Sequence, residues 1–87
     1  MRQDPPYFEG QDAQLIYIAK RMSDATAVEE LLTREGVEYG VEADTYTGGF
    51  LFRTQRVGAF FYVLPEIADI IRQLLAQNGW KPAQNAA

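Results

Sequence analysis

Behind Pro65, apolar side chains recur at Ile67, Ile70, Ile71, Leu74 and Leu75. This spacing draws one apolar stripe along a helix, and a striped helix must lie on a surface that covers it. Pro65 suits the first helical position, where its missing N–H costs no hydrogen bond. Asn78-Gly79 stops the helix, and Trp80 can fold back onto the last turn. An earlier segment has the same form. Ser23-Asp24 offers an N-cap, Ala25, Val28, Leu31 and Leu32 line one side, and Glu29, Glu30, Arg34 and Glu35 lie mostly on the other. Gly36 supplies a left-handed stop, with Val37 closing over the final turn. With two single-striped helices in 87 residues, the remaining apolar segments must form the layer between them and solvent.

Those segments read as strands. Leu15 to Ala19 is apolar on both faces, as a central strand is. Val37 to Thr45 alternates strictly: Val37, Tyr39, Val41 and Ala43 face one way, and Glu38, Glu42 and Asp44 the other. A period of two with acids on one face predicts a strand with a wet side. Thr47-Gly48-Gly49 signals a turn, and Phe50 to Arg56 is either a short extra strand or part of a long hairpin loop. Val57 to Leu64 is a second strand of the central type, with Gly58 a candidate bulge.

The order β-α-β-β-α predicts an α+β fold, an antiparallel sheet with both helices on one face. A ferredoxin-like sandwich fits, because there the first and third strands are central and the second is an edge. No fourth strand follows the second helix, so one flank of the first strand lacks a neighbour. Such a flank is a template for another chain. Its candidate partners are the arm at 7–12, the Phe50–Arg53 segment, or the same strand of a second subunit. The last is favoured, which makes the chain a homodimer with Leu15, Tyr17, Phe60 and Tyr62 at its interface. A domain this small buries only about 60–65% of its unfolded surface, so association is a natural supplement. Residues 1–12 are expected to be a polar arm that Tyr7 and Phe8 could pin, 13–80 a single domain, and 81–87 a flexible tail.

Composition narrows the chemistry. The chain has no Cys and no His, which excludes a disulfide scaffold, a thiol nucleophile, a Cys/His zinc site and a His base. Its net charge of −4 argues against nucleic acid as a partner. The apolar runs are too short for a membrane span, and the polar start Met1–Pro6 has no apolar leader segment, so the expected compartment is the cytoplasm.

Few residues remain that could carry a site. Arg53 and Arg56, with Thr54 and Gln55 between them, could hold a small phosphate or carboxylate, although a solvated hairpin tip has the same composition. Glu42 and Asp44 share a strand face about 7 Å apart, the arrangement of a wet sheet face as much as of a Mg²⁺ site, and no third ligand accompanies them. Lys20 and Arg21 could extend a basic rim or simply end a strand. Gly48-Gly49 lacks the spacing of a phosphate loop, so no nucleotide cofactor is implied. Phe60, Phe61 and Tyr62 are consecutive, so some of these rings must lie on the face away from the helices, where an apolar patch marks an interface.

Three segments together resemble a known family. Leu15–Ala19, the helix end Leu31-Leu32-Thr33-Arg34-Glu35-Gly36-Val37, and Val63-Leu64-Pro65-Glu66 leading into Ile70-Ile71-Arg72-Gln73-Leu74-Leu75 resemble small bacterial domains described as prokaryotic signal-transducing proteins, related in shape to PII-like folds. The likeness spans roughly residues 14–77. It implies a ferredoxin-like core and a regulatory role without catalysis, with Thr47–Arg56 in the position of the PII effector loop. The short loop, the missing fourth strand and the lack of a nucleotide-binding pattern depart from PII proteins, so ATP binding and uridylylation are not implied. The expected function is therefore a non-enzymatic regulatory or protein-interaction module that self-associates through its sheet. The alternative is a small enzyme using Tyr, Arg and Glu in a dimer pocket.

Overall fold

The structure, a computed structural model, describes residues 1–48 and 54–84. After a 3-10 turn at Pro5–Phe8, the elements are β1 (Gln14–Ala19), α1 (Met22–Arg34), β2 (Gly40–Gly48), β3 (Thr54–Val63), a 3-10 turn at Pro65–Ile67, and α2 (Ala68–Gln77). The class is α+β. The three strands form one antiparallel sheet in the order β1-β3-β2, so the second strand is an edge, as its acids require.

Both helices end by the same device. Gly36 takes φ +71° and Gly79 φ +83°, conformations that side-chain-bearing residues rarely adopt. Behind α1, the Val37 N–H donates to Leu32 O at 2.9 Å and the Gly36 N–H to Thr33 O at 3.1 Å. Behind α2, the Trp80 N–H donates to Leu75 O at 2.9 Å and the Gly79 N–H to Ala76 O at 3.1 Å. These paired bonds satisfy carbonyls that a helix end otherwise strands, and the apolar residue after each glycine turns back toward the core. Trp80 thereby meets Tyr17 edge-on at 5.7 Å.

The helix starts differ from expectation. Helix α1 begins at Met22 with Arg21 in the cap position and no side-chain cap, so Ser23 and Asp24 lie inside the first turn. Asp24 instead accepts from the Arg21 guanidinium at 3.1 Å, where a negative charge also suits the helix dipole. In α2 the buried face is Ala68, Ile71 and Leu75, and Ile70 is 66% exposed. At about 3.6 residues per turn, Ala68, Ile71 and Leu75 fall on one side of α2 and Ile70 on the opposite side.

The core is one cluster drawn from both helices and the sheet. Ile16, Val28, Leu32, Phe61, Val63 and Leu75 are fully enclosed in it. Tyr39 belongs to it too, stacked on Phe61 at 5.9 Å between ring centres. Val37 and Tyr39 are buried as their alternation predicts, yet β2 begins only at Gly40. Val37 is used to close α1, and Tyr39 pairs in parallel with Arg2.

Both chain ends lie against the sheet. The Gln3 N–H donates to Tyr39 O at 2.7 Å, and the Tyr39 N–H donates to Met1 O at 3.2 Å, so the arm lines the entry to β2. At the other flank, the Ala83 N–H donates to Ile16 O at 2.7 Å. The Arg72 guanidinium spans the same seam, donating to Leu15 O at 2.7 Å and Ala83 O at 3.0 Å. The expectation of a bare β1 flank is corrected there: at Leu15 and Ile16 the flank meets the chain's own end, a partner absent from the three candidates. The segment after α2 can do this because its backbone supplies a donor where a fourth strand would.

Candidate functional site

Of the residues expected at an anion site, Gln55 and Arg56 are placed on the distal hairpin. Arg53 lies outside the described residues. Thr54 opens β3, and Gln55 and Arg56, neighbours on that strand, project to opposite faces. Gln55 donates across the ribbon to the Thr47 hydroxyl at 3.3 Å, and Arg56 stands opposite Tyr46. A β-carbon at Gly48 would sit 3.2 Å from the Arg56 side chain, so that guanidinium stem lies along the strand pair. Phe50 to Phe52 also fall outside the described residues, while Thr54–Arg56 is strand.

Of the four expected interface residues, three share a face. Leu15 pairs with Tyr62 and Ile18 with Phe60, and across β3 Gly40 pairs with Tyr62 and Glu42 with Phe60. These pairs line the sheet face away from the helices. Phe60 is only 9% exposed there. Tyr17 is the exception. It lies in the core, 8% exposed and edge-on to Phe61 at 6.2 Å. A bulge between Leu15 and Tyr17 inserts Ile16 and puts Leu15 and Tyr17 on opposite faces, where a regular strand would keep them together.

Two concavities flank this sheet. The first lies under the arm on the outer face. Pro5 and Phe8 roof it, and Gly40, Glu42 and Tyr62 form its floor, with a volume of about 280 Å³. Gly40 makes the roof possible, since a β-carbon there would lie 2.7 Å from the Phe8 ring. Tyr7 packs edge-on against Phe8 at 5.0 Å, so the aromatic pair pins the arm with Phe8 as the inner member. The second is a groove of about 320 Å³ on the helix side. Met22 and Ala25 of α1 face Ala43 and Val57 of the hairpin across it, and Lys20 and Arg21 stand at its rim.

The groove exists because the strands are unequal. Strand β1 stops at Ala19, opposite Ala59, whereas β3 starts at Thr54 and β2 runs to Gly48. The distal hairpin is therefore a two-stranded ribbon. Val57 is 68% exposed on it and Met22 82% exposed beside it. Lys20 reaches over the Tyr46 ring on the opposite face, 5.3 Å from its centre.

The tyrosines show what the site can do with protons. Tyr17, Tyr39 and Tyr62 are all pushed above the ordinary phenol value near 10.0, chiefly by burial. At Tyr62 the charges of Glu42 and then Asp44 add to the shift, and at Tyr39 the phenol donates to Glu29 at 3.0 Å. Each phenol thus stays protonated at neutral pH and serves as a donor or a wall, a poor general base. Among the described residues no three carboxylates come together as a metal site, and no helix is long and apolar enough to cross a membrane. The parts of the surface that pattern reading missed are the Phe8–Gly40 contact and the exposed Met22. Only the pairing of an arm aromatic with a strand glycine hinted at the first.

Compared with known proteins, the chain matches no family model, no curated protein and no solved structure.

Proposed function

We propose that this chain is a non-catalytic regulatory or interaction module on a ferredoxin-like core, which self-associates through the part of its sheet that β1 does not reach. The strand order β1-β3-β2, with α1 and α2 sharing one core, supports the ferredoxin-like reading. The exposure of Val57 at 68%, on a strand whose next residues run into the core, carries the functional one. An apolar side chain on a protruding ribbon gains most from a second surface. Residues 54–58 of β3 also have β2 on only one side, so their backbone groups can accept another strand. The regulatory role rests on the resemblance to PII-like proteins and on the hairpin position of this ribbon.

Light scattering after size-exclusion chromatography, across a dilution series, tests the assembly. The wild-type chain is expected to run as a dimer that dissociates on dilution. Val57→Lys should raise the midpoint concentration at least about tenfold, the effect of losing one buried aliphatic contact and confining a charge there. A strict monomer at millimolar concentration removes self-association from the reading.

A further inference from the structure

An exposed carboxylate, Glu42, stands at the cavity beneath Phe8. Glu42 lines it, and neither Lys nor Arg does. The neighbouring carboxylates have partners: Glu38 accepts from the Gln3 amide at 2.5 Å, and Asp44 accepts from the Thr45 N–H at 2.7 Å. Glu42 has no ion pair among the described residues. The rings of Phe8 and Tyr62 stand beside it, with Pro5 completing an apolar wall.

This combination selects a particular kind of occupant. An anion would meet the Glu42 and Asp44 charges. A hard metal ion prefers several oxygen ligands and would leave the aromatic walls unused. A neutral apolar molecule would gain nothing from the Glu42 charge. An alkylated ammonium ion suits this lining: its charge is drawn to Glu42, and its methyl groups can contact Pro5 and the Phe8 and Tyr62 rings. A volume of about 280 Å³ is at the small end for ligand pockets, enough for a head group and a short stem.

We propose that the cavity lined by Phe8, Glu42 and Tyr62 binds a small alkylammonium ion of the choline type. The site lies on the opposite sheet face from the groove at Val57 and does not depend on self-association.

The test is a titration followed by NMR at the Gly40 amide and the Tyr62 ring, with choline as the probe. Its neutral isostere, 3,3-dimethylbutan-1-ol, is the control for shape. Choline is expected to saturate the site, with the isostere at least about fivefold weaker, as an exposed cation–π contact plus a partly solvated ion pair would give. Glu42→Gln should weaken choline about threefold or more and leave the isostere unchanged. Phe8→Leu keeps an apolar anchor for the arm while removing the ring, and should weaken choline more than the isostere. Sedimentation with phosphatidylcholine vesicles would assign the head group to a lipid, and free choline binding without sedimentation would assign it to the soluble ion. Equal affinity for choline and its isostere, no effect of Glu42→Gln, or no saturation by about 100 mM choline, far beyond the millimolar range of even weak specific binding, would overturn the proposal.

Discussion

Between the pairs Leu15–Tyr62 and Tyr17–Phe61, Ile16 is one residue more than β3 can match. Its insertion lets Ile16 and Tyr17 enter the core in succession, while Leu15 stays on the outer face. Alternation alone groups Leu15 with Tyr17, because a bulge has no marker when the strand is apolar throughout. The buried tyrosines also shape the response to alkali. A phenol whose pKa is raised by folding keeps its proton after the unfolded chain has lost its own. The stability this represents is complete below about pH 10 and disappears as pH climbs through the raised folded values. Urea melts from pH 7 to 11.5 should therefore be flat up to about pH 9 and fall steeply beyond it. Tyr62→Phe should shallow the fall by removing one ionising group beside Glu42 and Asp44, and an unchanged slope would show that the other phenols account for it.

At the scale of elements, α2 does more than cover the sheet. Arg72 is 13% exposed along its side chain, and its guanidinium joins Asp69 of α2, the start of β1 and the chain's end. Hydrogen bonds from a charged donor to a carbonyl contribute about 1.5–3 kcal/mol each before entropy is counted. Arg72→Leu is expected to cost about 1–3 kcal/mol by chemical denaturation. Amide exchange at Ala83 should speed up in the same variant, and protection that persists would mean that the Ile16 carbonyl holds the segment alone. The helices themselves were legible in the sequence, since their stripes and terminal glycines are local signals. Strands β1 and β3 were legible from their apolar runs. The start of β2 was not, because Val37 serves two patterns at once: it closes a helix and continues an alternation. The roles of Arg72 and Ala83 left no trace, since a bond to a backbone carbonyl 57 residues away requires no particular neighbour in sequence.

For the whole molecule, order should be graded along the sheet. Phe61 and Val63 lie in the core between β1 and β2, whereas Gln55 to Val57 belong to the two-stranded ribbon. Isolated ribbons are marginal in water, so at low protein concentration amides at 55–57 should exchange at least about a hundredfold faster than those at 61–63. If copies meet through the ribbon, this gap should narrow as concentration rises. A gap independent of concentration would place any association elsewhere. Of the candidate anion site read from this hairpin, Arg53 lies outside the described residues, and Gln55 and Arg56, adjacent on β3, are turned to opposite faces of the sheet. Their segment reads in the sequence as either strand or loop, because a polar stretch behind turn glycines suits both.

The anchoring of both ends has a mechanical consequence. Gln3 is fastened at Tyr39 on one margin of the sheet, and Ala83 at Ile16 on the other. Tension applied along the polypeptide from its extremities is borne first by these few bonds, and the hydrophobic interior feels it only after they give way. The molecule thus has two fuses in series with its core, and a tether at either terminus strains a seam long before it threatens the fold.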